Sequence, residues 1–395
     1  MIKDSYDVVV AGAGPGGSSV SKTLAELGFS VLMVEKRQEI GAPKRCGEGL
    51  TMNTVDIIGE IPQECIRQKI DGATLYAPNG NHVLVDLGAE GGYIVERKAF
   101  DKWLAVRASR AGATVVAHAE VTDVIKEGSQ VTGVRILVGG GEEKTVRAKV
   151  VVAADGVEST VSRKAGLNTT NKLVNVDSGY QYEMSNLKLE TSKRIILYFG
   201  NDIAPRGYLW IFPKGPDIAN VGIGTAMSEK PAKWYLDKFI KDHPEIFGQS
   251  SIIEANSGGI PVGGFLENMV LDGFLVVGDA AHQVNPIHGG GMKEATIAGE
   301  MAAKVIAKAI EKGDVSASVL SEYNEMWWKE RGSKLKKVEK LREVVEKLSD
   351  SDFNMISESL TSDVAIGLTR GGKMYSLAKI LMKNPRLVKL ARHLI

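Results

Sequence analysis

Residues 6–17 read YDVVVAGAGPGG, and this stretch decides the fold. Tyr6 to Ala11 is a short Val-rich run of the kind that forms a strand buried on both faces. The cluster Gly12-Ala13-Gly14-Pro15-Gly16-Gly17 follows, and a stretch of helical character continues to Leu27. Ser30 to Glu35 (SVLMVE) is a second buried-strand signal, so the order is strand, turn, helix, strand. Glycines in such a turn let the backbone approach a pyrophosphate, and the helix N-terminus offers it unpaired N–H groups and a positive dipole end. Glu35 closes the second strand roughly twenty residues on, where a carboxylate accepts hydrogen bonds from a ribose diol. With Lys36 beside it, the expected ligand is a dinucleotide with an unphosphorylated adenosine ribose.

Outward from this unit, Lys36 to Asp71 lacks a strong period and reads as an extended loop followed by a short helix. Arg97 to Gly112 reads as a helix and Thr114 to Val124 as a strand. The stretches Val131–Val138 and Lys144–Val152 suggest a small meander. From Lys172 to about Val262, strands with Tyr and Trp alternate, whereas Gly273–Asp279 (GFLVVGD) returns to the buried-strand pattern. A helix follows from about Gly290 to Lys312, and the remainder is helical in composition. The expected fold class is α/β. A Rossmann-like lobe from residues 1–170 and 263–315 carries an inserted antiparallel-sheet substrate lobe, 171–262, and a helical region, 316–395, completes it.

Composition narrows the function classes. The 395 residues carry a formal charge of +1, which gives no global field to attract nucleic acid. Only Cys46 and Cys65 occur, too few for a disulfide scaffold and without the spacing of a metal site. No charged-then-apolar leader and no run of eighteen apolar residues is seen, so the expectation is a cytoplasmic protein that does not span a membrane.

Two further segments specify the nucleotide. One is Ala154-Asp155-Gly156-Val157-Glu158-Ser159 with Arg163 beyond it; the other is Gly278-Asp279-Ala280-Ala281-His282, then Pro286 and Gly289-Gly290-Gly291 at a helix entry. In this order the sequence resembles the flavoprotein family that includes aromatic hydroxylases of the para-hydroxybenzoate type. The resemblance implies FAD. It places Asp279 on the ribityl chain, Gly291 and Met292 at the pyrimidine end of the isoalloxazine, and Asp155, Gly278, Pro286 and Gly290 in the same cradle. Arg97 and the backbone near Val121 match positions that hold flavin and adenine. A helix N-terminus at the pyrimidine would stabilise negative charge on the reduced ring.

In PRGYLWIFPK, residues 205–214, Tyr208, Trp210 and Phe212 share one face of a strand. The motif PxxYxWxFP, with Cys46-Gly47-Glu48-Gly49, resembles the geranylgeranyl reductase family over residues 1 to 340. The resemblance implies reduction of isoprenoid double bonds, with digeranylgeranylglycerophospholipids as the expected substrate. Chlorophyll or geranylgeranyl diphosphate, aromatic hydroxylation, and non-catalytic lipid binding are the alternatives. A wall of Tyr208, Trp210 and Phe212 suits an apolar polyprenyl chain. An isolated alkene also needs a proton as hydride arrives, and Cys46 or an ordered water is the candidate source. Cys46, Gly47 and Gly49 are expected beside the flavin, and His282 and His288 either stabilise their loop or take part in catalysis.

After Asp363 the chain carries Arg370, Lys373, Lys379, Lys383, Arg386, Lys389 and Arg392 with no acidic residue, interleaved with apolar ones. Such a tail lies on an anionic membrane, presents a solvated face, or docks a partner. Peripheral contact with the inner face of the cell membrane is the expectation, with Arg370-Gly371-Gly372 near a lipid head group and Gly371 as a substrate contact. No second GxGxxG follows a strand. The electron donor is therefore left open between NAD(P)H, ferredoxin and another small carrier.

Overall fold

Val8, Val9 and Val10 are fully buried. They lie in the strand Ser5–Ala11, which sits inside an eight-stranded sheet. The computed structural model describes residues 2–88 and 91–394. The parallel core of this sheet runs in the order Phe274–Val276, Glu142–Ala153, Ser5–Ala11, Val31–Glu35, Thr114–Ala117. Near-continuous Val runs are what a sheet buried on both faces demands. Helix Pro15–Glu26 packs on Arg97–Arg110 and on the long helix Met292–Glu311. The expected meander is present, its last strand pairing antiparallel with Gln130–Val138 and then parallel with Ser5–Ala11. The single strand expected over Thr114–Val124 breaks at His118, whose φ of 53° turns the chain before Ala119–Glu127 begins.

The second sheet has seven strands, in the order Ser251–Pro261, Val176–Ser185, Ala219–Thr225, Tyr208–Pro213, Arg194–Tyr198, Gly72–Tyr76, His82–Asp86. The last two come from a segment that sequence reading assigns to the nucleotide-binding lobe. They form a hairpin around Pro78-Asn79-Gly80, and Gly72–Tyr76 pairs parallel with Arg194–Tyr198, so the sheet is antiparallel apart from that one pair. The segment read as loop and short helix supplies helix Met52–Ile58 but also Gly49–Thr51 and Ile66–Ile70, which flank Gly92–Val95 in a small third sheet.

Alternation fixes which way the second sheet faces. Leu209, Ile211, Val221 and Ile223 pack under Leu236 and Phe239 of helix Ala232–Asp242. Burial of such side chains contributes about 1.5–3 kcal/mol each. The other face carries Tyr208, Trp210 and Phe212 and is left to line a cavity. Helices Ser333–Val345 and Ser362–Thr369 line its other side, and Asp350–Ser357 and Met374–Leu381 pack with them in a separate apolar cluster. Asn201 ties sheet to helices by donating to the carbonyl of Leu348 at 3.0 Å. In the basic tail Leu377, Leu381, Leu387 and Ala391 are buried against Leu341 and Val344, so its apolar stripe serves the protein core. Among the described residues no helix is long and apolar enough to cross a membrane.

Candidate active site

A continuous cavity of about 1150 Å³ runs from the first glycine turn to the C-terminal helices. At its nucleotide end Gly12 has φ 108°, and a Cβ there would run into the carbonyl of Ala154. A Cβ on Gly17 would meet the carbonyl of Gly12, so Gly17 packs behind the turn, whereas Gly14 has open space beside it and lines the cavity. Pro15 opens the helix, where its missing N–H costs nothing. Glu35 accepts from the backbone N–H of Ala13 at 3.2 Å and of Arg37 at 3.1 Å, which fixes its carboxylate at the end of the second strand. Lys36 and Val121 line the same end.

Asp155 accepts from Val161 N at 2.9 Å, and its Oδ1 is buried without a protein hydrogen-bond partner. Burial pushes its carboxyl up. Asp279 lies beneath the start of the long helix. A Cβ on Gly291 would come within 2.7 Å of its Oδ1, so only glycine lets the two approach. Burial pushes Asp279 up as well, against the pull of Arg97. Gly16, Gly278, Pro286, Gly290 and Met292 line this stretch. A glycine turn open at Gly14, a fixed ribose-end carboxylate and an unpartnered buried Asp155 oxygen together fit a bound FAD.

The loop carrying Cys46 is held from below by the second sheet. Gln181 donates to the Cys46 carbonyl at 3.0 Å, and Asn220 donates to the Gly47 carbonyl at 3.2 Å and to Glu48 at 2.7 Å. Phe212 lies against Gly47, where a Cβ would sit 2.8 Å from its ring. The Cys46 sulfur accepts from Glu48 N at 3.2 Å, and the Arg97 guanidinium reaches the same thiol. Arg97 also holds Asp101 at 2.8 and 2.9 Å. Its burial opposes the charge, but Asp101 overrides that and keeps it protonated.

Under the loop lies an ion cluster that sequence reading missed. Lys44, whose side chain is fully buried, pairs with Glu183 and lies 3.5 Å from Glu48; Lys214 reaches Glu48 at 2.8 Å, Glu183 at 2.9 Å and Glu96 at 3.0 Å. Burial works against the charge of Lys214, and Glu48 more than offsets it, leaving its pKa raised.

Tyr208, Trp210 and Phe212 form the expected aromatic row, with ring centroids 5.8 and 6.3 Å apart. Two of them also serve the loop, Phe212 through Gly47 and Trp210 through an N–H donated to Gln181 at 2.8 Å. Tyr208 donates to the carbonyl of His288 at 2.7 Å. His282 has both ring nitrogens on carbonyl oxygens, Gly264 at 2.7 Å and Thr169 at 3.0 Å, so it pins its loop. The His288 Nδ1 accepts from Gly290 N at 3.1 Å.

The cavity is also lined by Leu75, Val85, Ile195 and Leu197 of the sheet and by Val345 and Ile366 of the C-terminal helical region. These apolar walls were not singled out in the sequence. Lys293, Arg331, Lys334 and Arg370 also line the cavity. Burial and the nearby Arg331 and Arg370 push the Lys293 pKa down. Arg370 lines the cavity and Gly371 does not; Gly371, at φ 77°, turns the chain against Lys334 and Val338.

Residues 5–328 match the model of the FAD-binding domain family. The chain is 39% identical over 398 residues to the digeranylgeranylglycerophospholipid reductase of Methanocaldococcus jannaschii, covering 100% of this chain and 99% of that one. It belongs to the digeranylgeranylglycerophospholipid reductase family. The reductase of Methanocella arvoryzae is 41% identical, with 98% of each chain covered. A geranylgeranyl bacteriochlorophyll reductase-like protein from Thermoplasma acidophilum superposes with a TM-score of 0.90 at 35% identity, over 99% of this chain and 100% of that one. A flavin-dependent brominase shares the fold at a TM-score of 0.75 and 21% identity. Membership of this family makes the chain an FAD-dependent oxidoreductase.

Proposed function

We propose that this chain saturates the isoprenoid double bonds of a phospholipid bearing two geranylgeranyl chains. The observation that carries the reading is the continuity of one cavity from the nucleotide turn, past the Cys46 loop, into an apolar passage. Polyprenyl burial there is favourable by about 25 cal/mol per Å² and needs few polar partners. Bound FAD would supply hydride to the alkene. The turn at Gly14 and Glu35 would hold its nucleotide end, while Asp279, Gly291 and Met292 would hold its pyrimidine end. The Cys46 loop, fixed by Gln181 and Asn220, would press the chain toward the ring and exclude water.

Lys293, Arg331, Lys334 and Arg370 suit an anionic head group. Contact with an anionic membrane surface would be electrostatic, through the outward-facing basic side chains of the tail, because its apolar stripe is already packed. Electrons would reach the flavin from an external carrier such as NAD(P)H or ferredoxin.

The test is anaerobic flavin absorbance. The protein, reduced with dithionite, is expected to reoxidise on addition of a digeranylgeranyl phospholipid and to stay reduced with its saturated counterpart. Reoxidation by oxygen with hydroxylation of an aromatic substrate, and none by the lipid, would replace this reading with an aromatic hydroxylase.

A further inference from the structure

We propose that Asp177 is the acid that delivers the proton to the alkene, its carboxyl standing on the cavity wall between Tyr208 and Ile260. The inference rests on the reductase reading and adds the source of the second hydrogen. Asp177 lies in strand Val176–Ser185, directly opposite Ile260. Two residues along on the same face is Gly179, which pairs with Gly224, and Gly224 pairs in turn with Tyr208. The Asp177 carboxyl lies over Gly224, where a Cβ would be 3.6 Å from it, so neither glycine puts a side chain of its own between the carboxyl and the phenol. Both neighbours of Asp177 touch the loop ahead of the long helix: Tyr208 donates to the His288 carbonyl at 2.7 Å, and a Cβ on Gly289 would lie 3.0 Å from Ile260. Asp177 thus lines the cavity beside Tyr208, next to the loop that leads into the long helix.

Its own bonding is incomplete. Asp177 is 9% exposed, and its Oδ1 is buried with no hydrogen-bond partner. The charged groups facing it are Glu346, Arg342 and Arg206, with the phenol of Tyr208 beside them. Both arginines are engaged elsewhere. Arg206 pairs with Glu346, while Arg342 lies 3.4 Å from Glu346 and donates to Asn175 at 2.9 Å. Burial, with Glu346 adding to it and the arginines pulling the other way, pushes the Asp177 carboxyl up to about 7. A carboxylic acid that keeps its proton near neutral pH is suited to donating it.

The step balances without another reactant. With bound reduced FAD supplying hydride to one alkene carbon, the π electron pair would take the Asp177 proton at the other. Asp177 is left as a carboxylate that regains a proton from solvent, and the flavin is oxidised by two electrons. Cys46, whose sulfur is engaged by Arg97 and by Glu48 N, acts as a positioning residue of the loop.

The experiment compares FAD-loaded wild type, Asp177→Asn, Asp177→Glu and Cys46→Ala. Asp177→Asn is expected to bind FAD and lipid as wild type does while alkene reduction slows by roughly 10²–10⁴-fold, and Asp177→Glu to recover part of the rate. In wild type the rate falls as pH rises through about 7. Infrared difference spectra give a reading independent of turnover: a protonated-carboxyl band that titrates near 7 in wild type and is missing in Asp177→Asn. The proposal is overturned if Asp177→Asn reduces lipid at the wild-type rate, if it loses lipid affinity in step with rate, or if the band is absent. Loss of the rate in Cys46→Ala alone would assign the proton to the thiol. A wild type that shows the band yet reduces no lipid would refute the reductase reading and leave the buried acid established.

Discussion

Trp210 donates its indole N–H to the Gln181 side chain at 2.8 Å, and Gln181 donates onward to the carbonyl of Cys46 at 3.0 Å. An aromatic residue on the cavity wall thereby sets the height of the loop opposite. Trp210→Phe keeps a ring but leaves a buried amide oxygen unpaired, at a cost of about 1–3 kcal/mol. The expected outcome is a lower urea midpoint together with a fall in turnover that exceeds any loss of FAD affinity. Equilibrium unfolding and flavin titration on the same variant check it.

The glycines of the first turn separate by role. Gly14→Ala adds a methyl where the protein itself leaves space, so the chain should fold normally and, on the proposed placement of the pyrophosphate at this turn, lose flavin affinity. Gly17→Ala drives a methyl into the Gly12 carbonyl and should impair folding before any cofactor is added. Circular dichroism of the two apo-proteins, followed by FAD titration, distinguishes them.

Lys44→Met leaves Glu48 and Glu183 facing each other with one cation fewer. Breaking a buried pair from one side costs about 3–5 kcal/mol, and unfolding by urea should show a loss of that size. Wild-type stability should also depend on acid. Burial alone would raise the pKa of Glu183, but Lys44 and Lys214 more than offset it, and the net shift is downward. A depressed carboxylate contributes stability above its unfolded pKa and loses it as pH falls through the folded one. The acid limb of the unfolding profile should thus lie below the ordinary glutamate range, and Lys44→Met should raise it.

Lys334→Ala tests the head-group end. Lys334 lines the cavity with Lys293, Arg331 and Arg370. Removing one charge-assisted contact should raise KM for the phospholipid by roughly ten- to a hundredfold while kcat holds, since such a bond contributes about 1.5–3 kcal/mol. A neutral digeranylgeranylglycerol should show no change. Steady-state kinetics on the two lipids decide it.

The parts of the fold that were legible in the sequence are those whose signal is local. The run from Tyr6 to Glu35, the meander and the Tyr208–Trp210–Phe212 alternation each lie within one short window. The hairpin Gly72–Asp86 was not read, because GATLY and HVLVD are five-residue strands set among glycine-rich loops. Its turn, Pro78-Asn79-Gly80, was the available signal. The Lys44–Lys214 cluster joins Lys44 to Glu183, 139 residues away, and Lys214 to Glu96, 118 residues away, and no pattern in a window reports such pairings. Asp177 had a weak signal: with Gln181 and Glu183 it makes one face of a strand polar while Tyr182 and Met184 pack in the core on the other. Gly371, expected at the substrate, terminates a helix instead, which is the common use of a glycine at positive φ.

The most direct measurement of the central claim is the mass of the lipid. The FAD-loaded protein is reduced anaerobically, mixed with a digeranylgeranyl phospholipid, and the extracted lipid is weighed by mass spectrometry as flavin absorbance is followed. Mass gains in steps of two hydrogens, with one flavin reoxidised per step, are the predicted result. Lipid of unchanged mass beside a flavin that only oxygen reoxidises would contradict the account.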